Sequence, residues 1–257
     1  MRKLEAREVT VRRNGKTLLN GISFGLQEGE WLAVVGPNGA GKTTLMRALG
    51  GEWPYAGEIT LDGRPLRAVK PRERARLLGL MSQAAFGQFA FTVEEVVRMG
   101  RYPYRHGIFH GGDPDETRAV DEALAETGLT NLRHRSVLTL SGGEQQRCAL
   151  AQALCLQPEV LLLDEPSNHL DLSYQQELYR ITDAWRQRPG HAVITVLHDL
   201  SAARRFATHA LVLHEGRMLA CGAAADALSD ECLREAWQAD VSAWMRQMAR
   251  MWKEATE

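Results

Sequence analysis

Residues 36–43 read G-P-N-G-A-G-K-T, which is the phosphate-binding pattern G-x-x-x-x-G-K-[ST]. The apolar run at residues 31–35 predicts a strand before this loop, and residues 44–49 predict a helix after it. Backbone N–H groups at a helix start attract phosphate, and glycine lets the chain approach closely. Lys42 is expected to reach the β- and γ-phosphates, and the Thr43 hydroxyl to ligate Mg²⁺. The pattern predicts that the chain binds a nucleoside triphosphate.

Two further apolar runs end at residues that can do phosphate chemistry. Residues 160–163 read V-L-L-L, as a strand buried on both faces should, and Asp164 and Glu165 follow at once. Residues 192–197 form another such run, which ends at His198. In an open parallel sheet the carboxyl ends of the strands form the edge at which ligands bind. We therefore expect these polar residues to lie beside the phosphate loop.

The residue types suggest separate roles in hydrolysis. An acid directly after a buried strand near a phosphate loop orients Mg²⁺ through water, and Asp164 occupies that position. Glu165 is then free to polarise an attacking water as a general base. His198 is placed to hydrogen-bond the γ-phosphate or the attacking water. A single histidine at a strand end is more often structural, but the neighbouring motifs favour the functional interpretation.

A second candidate anion site opens a helix in the middle of the chain. Ser141 and Glu144 have the S-x-x-E spacing of a capping box, and a helix-forming sequence continues through residues 149–154. Gly142 and Gly143 leave backbone N–H groups bare at the positive end of this helix, which suits phosphate. A plain capped helix is the alternative interpretation.

Composition and charge narrow the class of protein. The 257 residues are 44% apolar and 25% charged, as in an ordinary α/β protein large enough to bury a full core. The formal net charge of −1 disfavours bulk attraction to nucleic acid, so no nucleic-acid partner is expected. The sequence has neither a membrane-spanning run nor the apolar core of a signal peptide, and its four cysteines form no C-x-x-C pair. These features predict a cytosolic protein without a disulfide framework.

Taken together, the motifs resemble those of the nucleotide-binding subunit of an ATP-binding cassette (ABC) transporter, over most of the chain. Residues 140–145, L-S-G-G-E-Q, are similar to the family's signature LSGGQ, in the LSGGEQQR form that is frequent in the family. The other motifs follow in the family's order: Walker A at residues 36–43, the Q-loop glutamine Gln83, Walker B at residues 161–165, the D-loop at residues 167–171 and the switch histidine His198.

The resemblance implies a fold and its division into parts. The fold class is α/β, a P-loop NTPase core of the RecA-like type with an N-terminal antiparallel β subdomain and an inserted α-helical subdomain. Residues 1–84 and 155–230 would form the ATP-binding core, and residues 85–154 the helical signature subdomain. Residues 231–257 would form a C-terminal amphipathic helical tail.

The resemblance also implies ATP and Mg²⁺ as cofactors and a head-to-tail dimer of two copies. Each ATP would lie between one copy's P-loop and the other copy's signature helix, and hydrolysis through Glu165 would reopen the dimer. Gln83 would respond to Mg²⁺ and to the position of the lobe that contacts the membrane partner. The expected metal-site residues are Thr43, Gln83 and Asp164, and the expected catalytic residues are Glu165, His198 and Gln83. The residues expected around ATP are Arg13, Gly36, Pro37, Asn38, Gly39, Ala40, Gly41, Lys42, Thr43, Thr44, Ser141, Gly142, Gly143, Glu144 and Asp171.

One position departs from the family's pattern. The residue that stacks on adenine is commonly tyrosine in the family, and counting back from Leu18 and Leu19 places Arg13 there. A guanidinium plane can stack on a base, so adenine binding need not be lost. The sequence therefore supports phosphate binding more strongly than selectivity for the base.

Two short sequence motifs indicate the class of transporter. Residues 91–103 resemble the F-T-V-x-E-x-V-x-x-G-R-x-P stretch of bacterial subunits that serve importers of iron–siderophore complexes, haem and cobalamin, and residues 168–175 resemble the same group's N-H-L-D-I-x-x-Q. The implied partners are transmembrane permease subunits and, indirectly, a periplasmic or lipid-anchored substrate-binding protein. The implied location is the cytoplasmic face of the bacterial inner membrane.

Alternatives from other classes share some of these motifs. A chromosome-maintenance ATPase would carry a long coiled coil between Walker A and the signature, and this interval lacks sustained heptads. The alternatives left open are the ATPase of another ABC transporter, with a different cargo or an exporter, and a soluble cassette ATPase without a permease.

Patterns outside these motifs predict further helices. Thr92 with Glu95 forms another capping-box pattern, and residues 115–127 predict a helix that Gly128 ends. Near the C-terminus apolar residues recur with helical spacing over about five turns, which predicts an amphipathic tail. We expect this stripe to pack on the chain's own core, with contact to the twin subunit as the alternative. Its members are Leu233, Trp237, Val241, Trp244, Met248 and Met251.

Overall fold

The computed structural model describes residues 2–81, 90–105, 113–168 and 170–254 of the chain. The strands are β1 Arg2–Arg13, β2 Lys16–Gln27, β3 Trp31–Val35, β4 Ala56–Leu61, β5 Arg64–Pro65, β6 Leu78–Met81, β7 Val160–Asp164, β8 Ala192–Val196, β9 His209–His214 and β10 Arg217–Ala223. The helices are α1 Lys42–Leu49, α2 Pro71–Leu77, α3 Val93–Met99, α4 Glu116–Glu126, α5 Gly142–Cys155, α6 Leu172–Arg186, α7 Leu200–Phe206, α8 Ala224–Ala227, α9 Asp230–Trp237 and α10 Val241–Glu254.

The larger sheet has the strand order β10-β9-β3-β8-β7-β6. Strands β9, β3, β8, β7 and β6 are parallel, and β10 pairs antiparallel with β9. Along β3, Trp31 and Ala33 pack into the core on one face of the sheet, while Leu32 and Val34 pack into the core on the other. A strand covered on both faces is expected to be apolar along nearly its whole length. The strands predicted from the apolar runs are thereby confirmed.

A second, antiparallel sheet has the order β2-β1-β4-β5. Its buried side chains, with Leu4 and Ile22 among them, share one core with α1 residues such as Leu45 and Leu49 and with one face of the larger sheet. Helix α1 therefore lies in a shared core, which fixes the helix start that follows the phosphate loop. The α/β class with an N-terminal antiparallel sheet is confirmed.

Helices α3, α4 and α5 pack together on the opposite face of the larger sheet. Thr92 caps α3 in the predicted capping box, with its side chain accepting the Glu95 N–H and the Glu95 side chain accepting the Thr92 N–H. Gly128 follows α4 with a φ of +65°, a left-handed conformation that suits glycine at a helix end. These helices match the predicted signature lobe in sequence position, and the division at residues 85 and 154 stays a prediction.

The C-terminal stripe does not form one continuous helix. Gln238 has a φ of 53° and ends α9, so α10 starts in a new direction. Leu233 of α9 is buried in the core, as expected, whereas Trp244 and Met251 of α10 are 62% and 56% exposed. The packing prediction thus holds for the first part of the stripe and is wrong for these α10 residues. Among the described residues, no helix combines the length and apolarity needed to cross a membrane.

Candidate functional site

The phosphate loop joins β3 to α1 and depends on two glycines. Gly36 has a φ of +151°, and a Cβ there would lie 2.1 Å from the carbonyl oxygen of Leu213. Gly41, which precedes α1, has a φ of +103°, and its Cβ would lie 2.6 Å from Leu19 Cδ2. Both positions exclude a side chain on conformational and steric grounds. The loop backbone can therefore turn tightly and present the helix start to an anion.

Lys42 is folded onto this loop. Its Nζ donates hydrogen bonds to the carbonyl oxygens of Gly36, at 2.8 Å, and Pro37, at 3.0 Å. The residue is only 5% exposed. Burial lowers the pKa of the Lys42 ammonium, while the negative charges of Glu165 and Asp164 oppose that shift. The ammonium is thus held within the loop that would surround a phosphate chain.

The polar strand ends predicted from the sequence meet at one edge of the larger sheet. Strand β8 lies between β3 and β7, with Val196 opposite both Val34 and Asp164. The Thr43 hydroxyl, at the start of α1, donates to Asp164 Oδ1 at 3.4 Å. Beside them lies a cavity of about 410 Å³, which is lined by Thr43, Met46, Arg47, Glu52, Leu80, Asp164 and Glu165.

This hydroxyl and carboxylate suit a hard divalent cation. Burial raises the pKa of Asp164, and the nearby charge of Glu165 adds to the shift, whereas the Thr43 hydrogen bond opposes it. A half-buried carboxylate with a raised pKa gains from a neighbouring positive charge. Mg²⁺ prefers oxygen ligands and commonly uses one or two protein ligands together with substrate phosphates. Thr43 and Asp164 fit such a site.

Glu165 follows β7 in an unusual backbone conformation, with a φ of 53°. Its Oε1 lies 2.6 Å from Nε2 of His198, the residue that follows the apolar run of β8. Its Oε2 accepts a hydrogen bond from the side-chain amide of Asn168. A left-handed non-glycine residue persists only where the surroundings impose it, and such residues cluster at functional sites. Both carboxylate oxygens are therefore held by neighbours beside the phosphate loop.

Two residues of this region were missed by the sequence reasoning. Asn168 belongs to the D-loop motif at residues 167–171, but no sequence pattern indicated its contact with Glu165. Asp199 caps α7, since its side chain accepts hydrogen bonds from the N–H groups of Ser201, at 2.8 Å, and Ala202, at 3.3 Å. An aspartate directly before a helical sequence is an N-cap signal that would have identified Asp199. This cap fixes the backbone immediately after His198.

The signature residues begin α5 in the helical lobe. Ser141 Oγ accepts the Glu144 N–H at 3.3 Å, and Glu144 Oε2 accepts the Ser141 N–H at 2.8 Å, which confirms the predicted capping box. The Ser141 N–H lowers the pKa of Glu144. Gly142 is exposed. Asp171 also caps a helix, α6, by accepting the Tyr174 N–H at 3.0 Å.

Arg13, the residue expected to stack on adenine, contacts an aromatic ring. The guanidinium of Arg13 lies over the ring of Trp53, 4.3 Å from its centroid, and the Arg47 guanidinium lies 4.9 Å from the same centroid. No sequence pattern indicated this aromatic partner. Gln83 follows β6 in the chain but lies outside the described residues.

Comparisons with known proteins agree with this geometry. Residues 19–168 match the family described as ABC transporter. The hemin import ATP-binding protein HmuV of Mesorhizobium japonicum is 39% identical over 240 residues, which cover 90% of this chain and 90% of that protein. The ferric enterobactin transport ATP-binding protein FepC of Escherichia coli (strain K12) is 35% identical over 232 residues, covering 90% and 85% respectively.

Solved structures agree as well. One chain comes from a transporter provisionally assigned to the metal-chelate type and solved in an inward-facing conformation. It matches with a TM-score of 0.80 and 25% identity, covering 93% of this chain and 90% of that one. The family match covers more than half of the chain, and both relatives align over nearly all of it. The chain is therefore an ATP-binding subunit of the ABC transporter family, and it is an ATPase.

Proposed function

We propose that this ATPase powers a bacterial importer of a metal chelate, such as an iron–siderophore complex, haem or cobalamin. The import of hemin and of ferric enterobactin named for two relatives supports this class of cargo. The metal-chelate assignment of the similar solved transporter supports it too. The observation that best supports ATP hydrolysis at this site is the 2.6 Å contact between His198 Nε2 and Glu165 Oε1 beside the phosphate loop.

In the proposed reaction, Lys42 and the loop N–H groups bind the β- and γ-phosphates of ATP. Thr43 and Asp164 would hold Mg²⁺, which when bound supplies positive charge against the charge that develops on the phosphates. Glu165 accepts a proton from the attacking water as that oxygen bonds to the γ-phosphorus, and ADP leaves. His198 orients the water or the γ-phosphate, and Gln83 senses the metal.

The proposed catalytic unit is a head-to-tail dimer. The start of α5, formed by Ser141, Gly142, Gly143 and Glu144, would bind the ATP held by the P-loop of a second copy. Exposure of Gly142 supports this role, because N–H groups in the first turn of a helix have no intrahelical partner. Asp171 would lie at the same interface. One face of the Arg13 guanidinium lies over the ring of Trp53, and the other face would stack on adenine.

We further propose that permease subunits dock on the helical lobe, at the cytoplasmic face of the inner membrane. A cleft of about 510 Å³ opens there, lined by Phe91, Glu95, Arg98, Met99, Tyr102 and Arg105. Tyr102 is 75% exposed and Met99 is 42% exposed. Exposed apolar side chains around a cleft are typical of a partner site. A substrate-binding protein would act on the opposite side of the permease.

A charge at Tyr102 tests this docking site. We expect Tyr102→Asp to abolish stimulation of ATPase activity by the permease, because a carboxylate would lose its hydration in the interface. Basal ATPase activity of the isolated chain should not change, since Tyr102 lies outside the nucleotide site. Tyr102→Phe, which keeps the ring, is the control. Full stimulation of the aspartate variant would place the permease elsewhere.

Metal removal tests the proposed Mg²⁺ ligands. We expect Mg²⁺ to tighten ATP binding by the wild-type chain and to have little effect on Asp164→Asn. Opposite charges about 4 Å apart near a protein surface attract by about 4 kcal/mol, so the lost enhancement should be at least tenfold. Binding of fluorescent ATP with Mg²⁺ or with a chelator measures it. Thr43→Ser, which keeps a hydroxyl, should retain the enhancement; equal enhancement in Asp164→Asn would exclude Asp164 as a ligand.

The class of cargo is tested with the native partners. The tagged chain is purified from its native membrane in mild detergent, and co-purifying proteins are identified by mass spectrometry. With the recovered permease in vesicles, we expect ATP-dependent uptake of haem, a ferric siderophore or cobalamin. A permease of another type would favour another ABC transporter, including an exporter. Recovery of no membrane partner would favour an ATPase that acts without a permease.

A further inference from the structure

The segment that follows β7 holds the carboxylate of Glu165 from two sides. His198 Nε2 lies 2.6 Å from Oε1, and the side-chain amide of Asn168 donates to Oε2. The Asn168 backbone N–H also donates to the Glu165 carbonyl oxygen at 3.3 Å. Asn168 is therefore joined to Glu165 through both its main chain and its side chain.

The segment around Asn168 is itself fixed by neighbouring helices. Gln146 of α5 donates its side-chain amide to the carbonyl oxygen of Pro166 at 2.7 Å. Gln175 of α6 donates its side-chain amide to the carbonyl oxygen of Leu170 at 3.0 Å. These bonds lie on either side of Asn168, so its amide is presented from an anchored backbone. Precise placement of a reactive group requires such supporting bonds.

We propose that Asn168 is a positioning residue for the general base, holding one oxygen of Glu165 so that the other faces His198 and the attacking water. This inference rests on the proposed role of Glu165. Asparagine suits the task because its amide donates a hydrogen bond to a carboxylate without adding charge. Among the described residues, no hydrogen bond joins Asn168 to the phosphate loop.

Two substitutions separate positioning from a loss of nucleotide binding. Asn168→Ala removes the donor, and Asn168→Asp replaces it with a like charge of nearly the same shape. We expect both to lower kcat for ATP hydrolysis by about tenfold to a hundredfold, since small displacements of a reactive group cost that much. The KM for ATP should change by less than about twofold, because ground-state binding is retained. Asn131→Asp, at an exposed position outside the site, is the matched control.

A swap of the two functional groups tests the hydrogen bond itself. Asn168→Asp should lower the thermal unfolding midpoint, because two carboxylates then face each other. Adding Glu165→Gln restores a donor–acceptor pair with its direction reversed, so the midpoint should recover although hydrolysis stays lost. A double variant whose midpoint remains low would show that the two side chains are not paired.

The outcomes distinguish this inference from the role of Glu165. If Glu165→Gln hydrolyses ATP normally, the general-base assignment fails and the positioning role fails with it. If Glu165→Gln is inactive but both Asn168 variants keep the wild-type kcat, only the positioning role is overturned. A higher kcat in Asn168→Ala would also overturn it, because Asn168 would then restrain the base instead of aligning it. Lower kcat with unchanged KM, together with the recovered midpoint, is the expected result.

Discussion

Glu165→Gln is expected to lower kcat for ATP hydrolysis by about 1,000-fold, since positioned general bases contribute roughly 10²–10⁴-fold. The amide cannot accept the proton of the attacking water, while its size preserves the space beside His198. ATP binding through the phosphate loop should persist, because Lys42 and the loop glycines are unchanged. Phosphate release measures the loss, and size-exclusion chromatography with ATP should show a trapped dimer.

A second substitution tests whether that dimer is the proposed head-to-tail one. Ser141 begins α5 with an exposed capping box, and an arginine there would remove the cap and obstruct the helix start. Glu165→Gln combined with Ser141→Arg should therefore bind ATP as a monomer. Persistence of the ATP-dependent dimer in this double variant would refute the proposed interface. Near-normal turnover in Glu165→Gln alone would instead remove Glu165 as the base.

Lys42→Met is expected to weaken MgATP binding by about 100-fold. Hydrogen bonds to charged groups contribute about 1.5–3 kcal/mol each, and the ammonium would make such bonds to the β- and γ-phosphates. Methionine keeps most of the aliphatic stem, so the buried volume changes little. In the described structure Nζ already donates to Gly36 and Pro37, so the variant also leaves those carbonyl oxygens without this donor.

Calorimetric titration with MgATP measures this loss, and Lys70→Met supplies the control. Lys70 is exposed before α2, and its replacement should leave nucleotide affinity unchanged. A thermal melt of Lys42→Met without nucleotide distinguishes weak binding from poor folding. Wild-type affinity in a folded Lys42→Met protein would contradict the assignment of residues 36–43 as the nucleotide loop.

The residues proposed for the site could be identified from the sequence because their signals are local in the chain. The strand, glycine loop and helix start around residues 36–43 are consecutive, so their geometry follows from local residue types. Asp164 and His198 could be expected together because parallel strands end at the same edge of a sheet. The capping boxes at Thr92 and Ser141 were equally local and were confirmed.

Contacts between side chains could not be predicted in the same way. Asn168 is hydrogen-bonded to Glu165, which has a left-handed backbone that its residue type does not indicate. The position of Trp53 against Arg13 joins different elements of the chain. The break at Gln238 could not be predicted either. The apolar spacing continues past this residue, and glutamine ordinarily favours a helix.

By itself, the sequence determined which residues end each buried strand and which can bind phosphate, since both follow from residue type and order. Only the tertiary structure decided that β8 lies between β3 and β7, which brings Asp164 and His198 to the loop. It also decided which neighbours hold the two oxygens of Glu165. The physical reason is that each face of the larger sheet packs against its own core, and segments distant in the chain form those cores. Strand order and side-chain contacts depend on that packing.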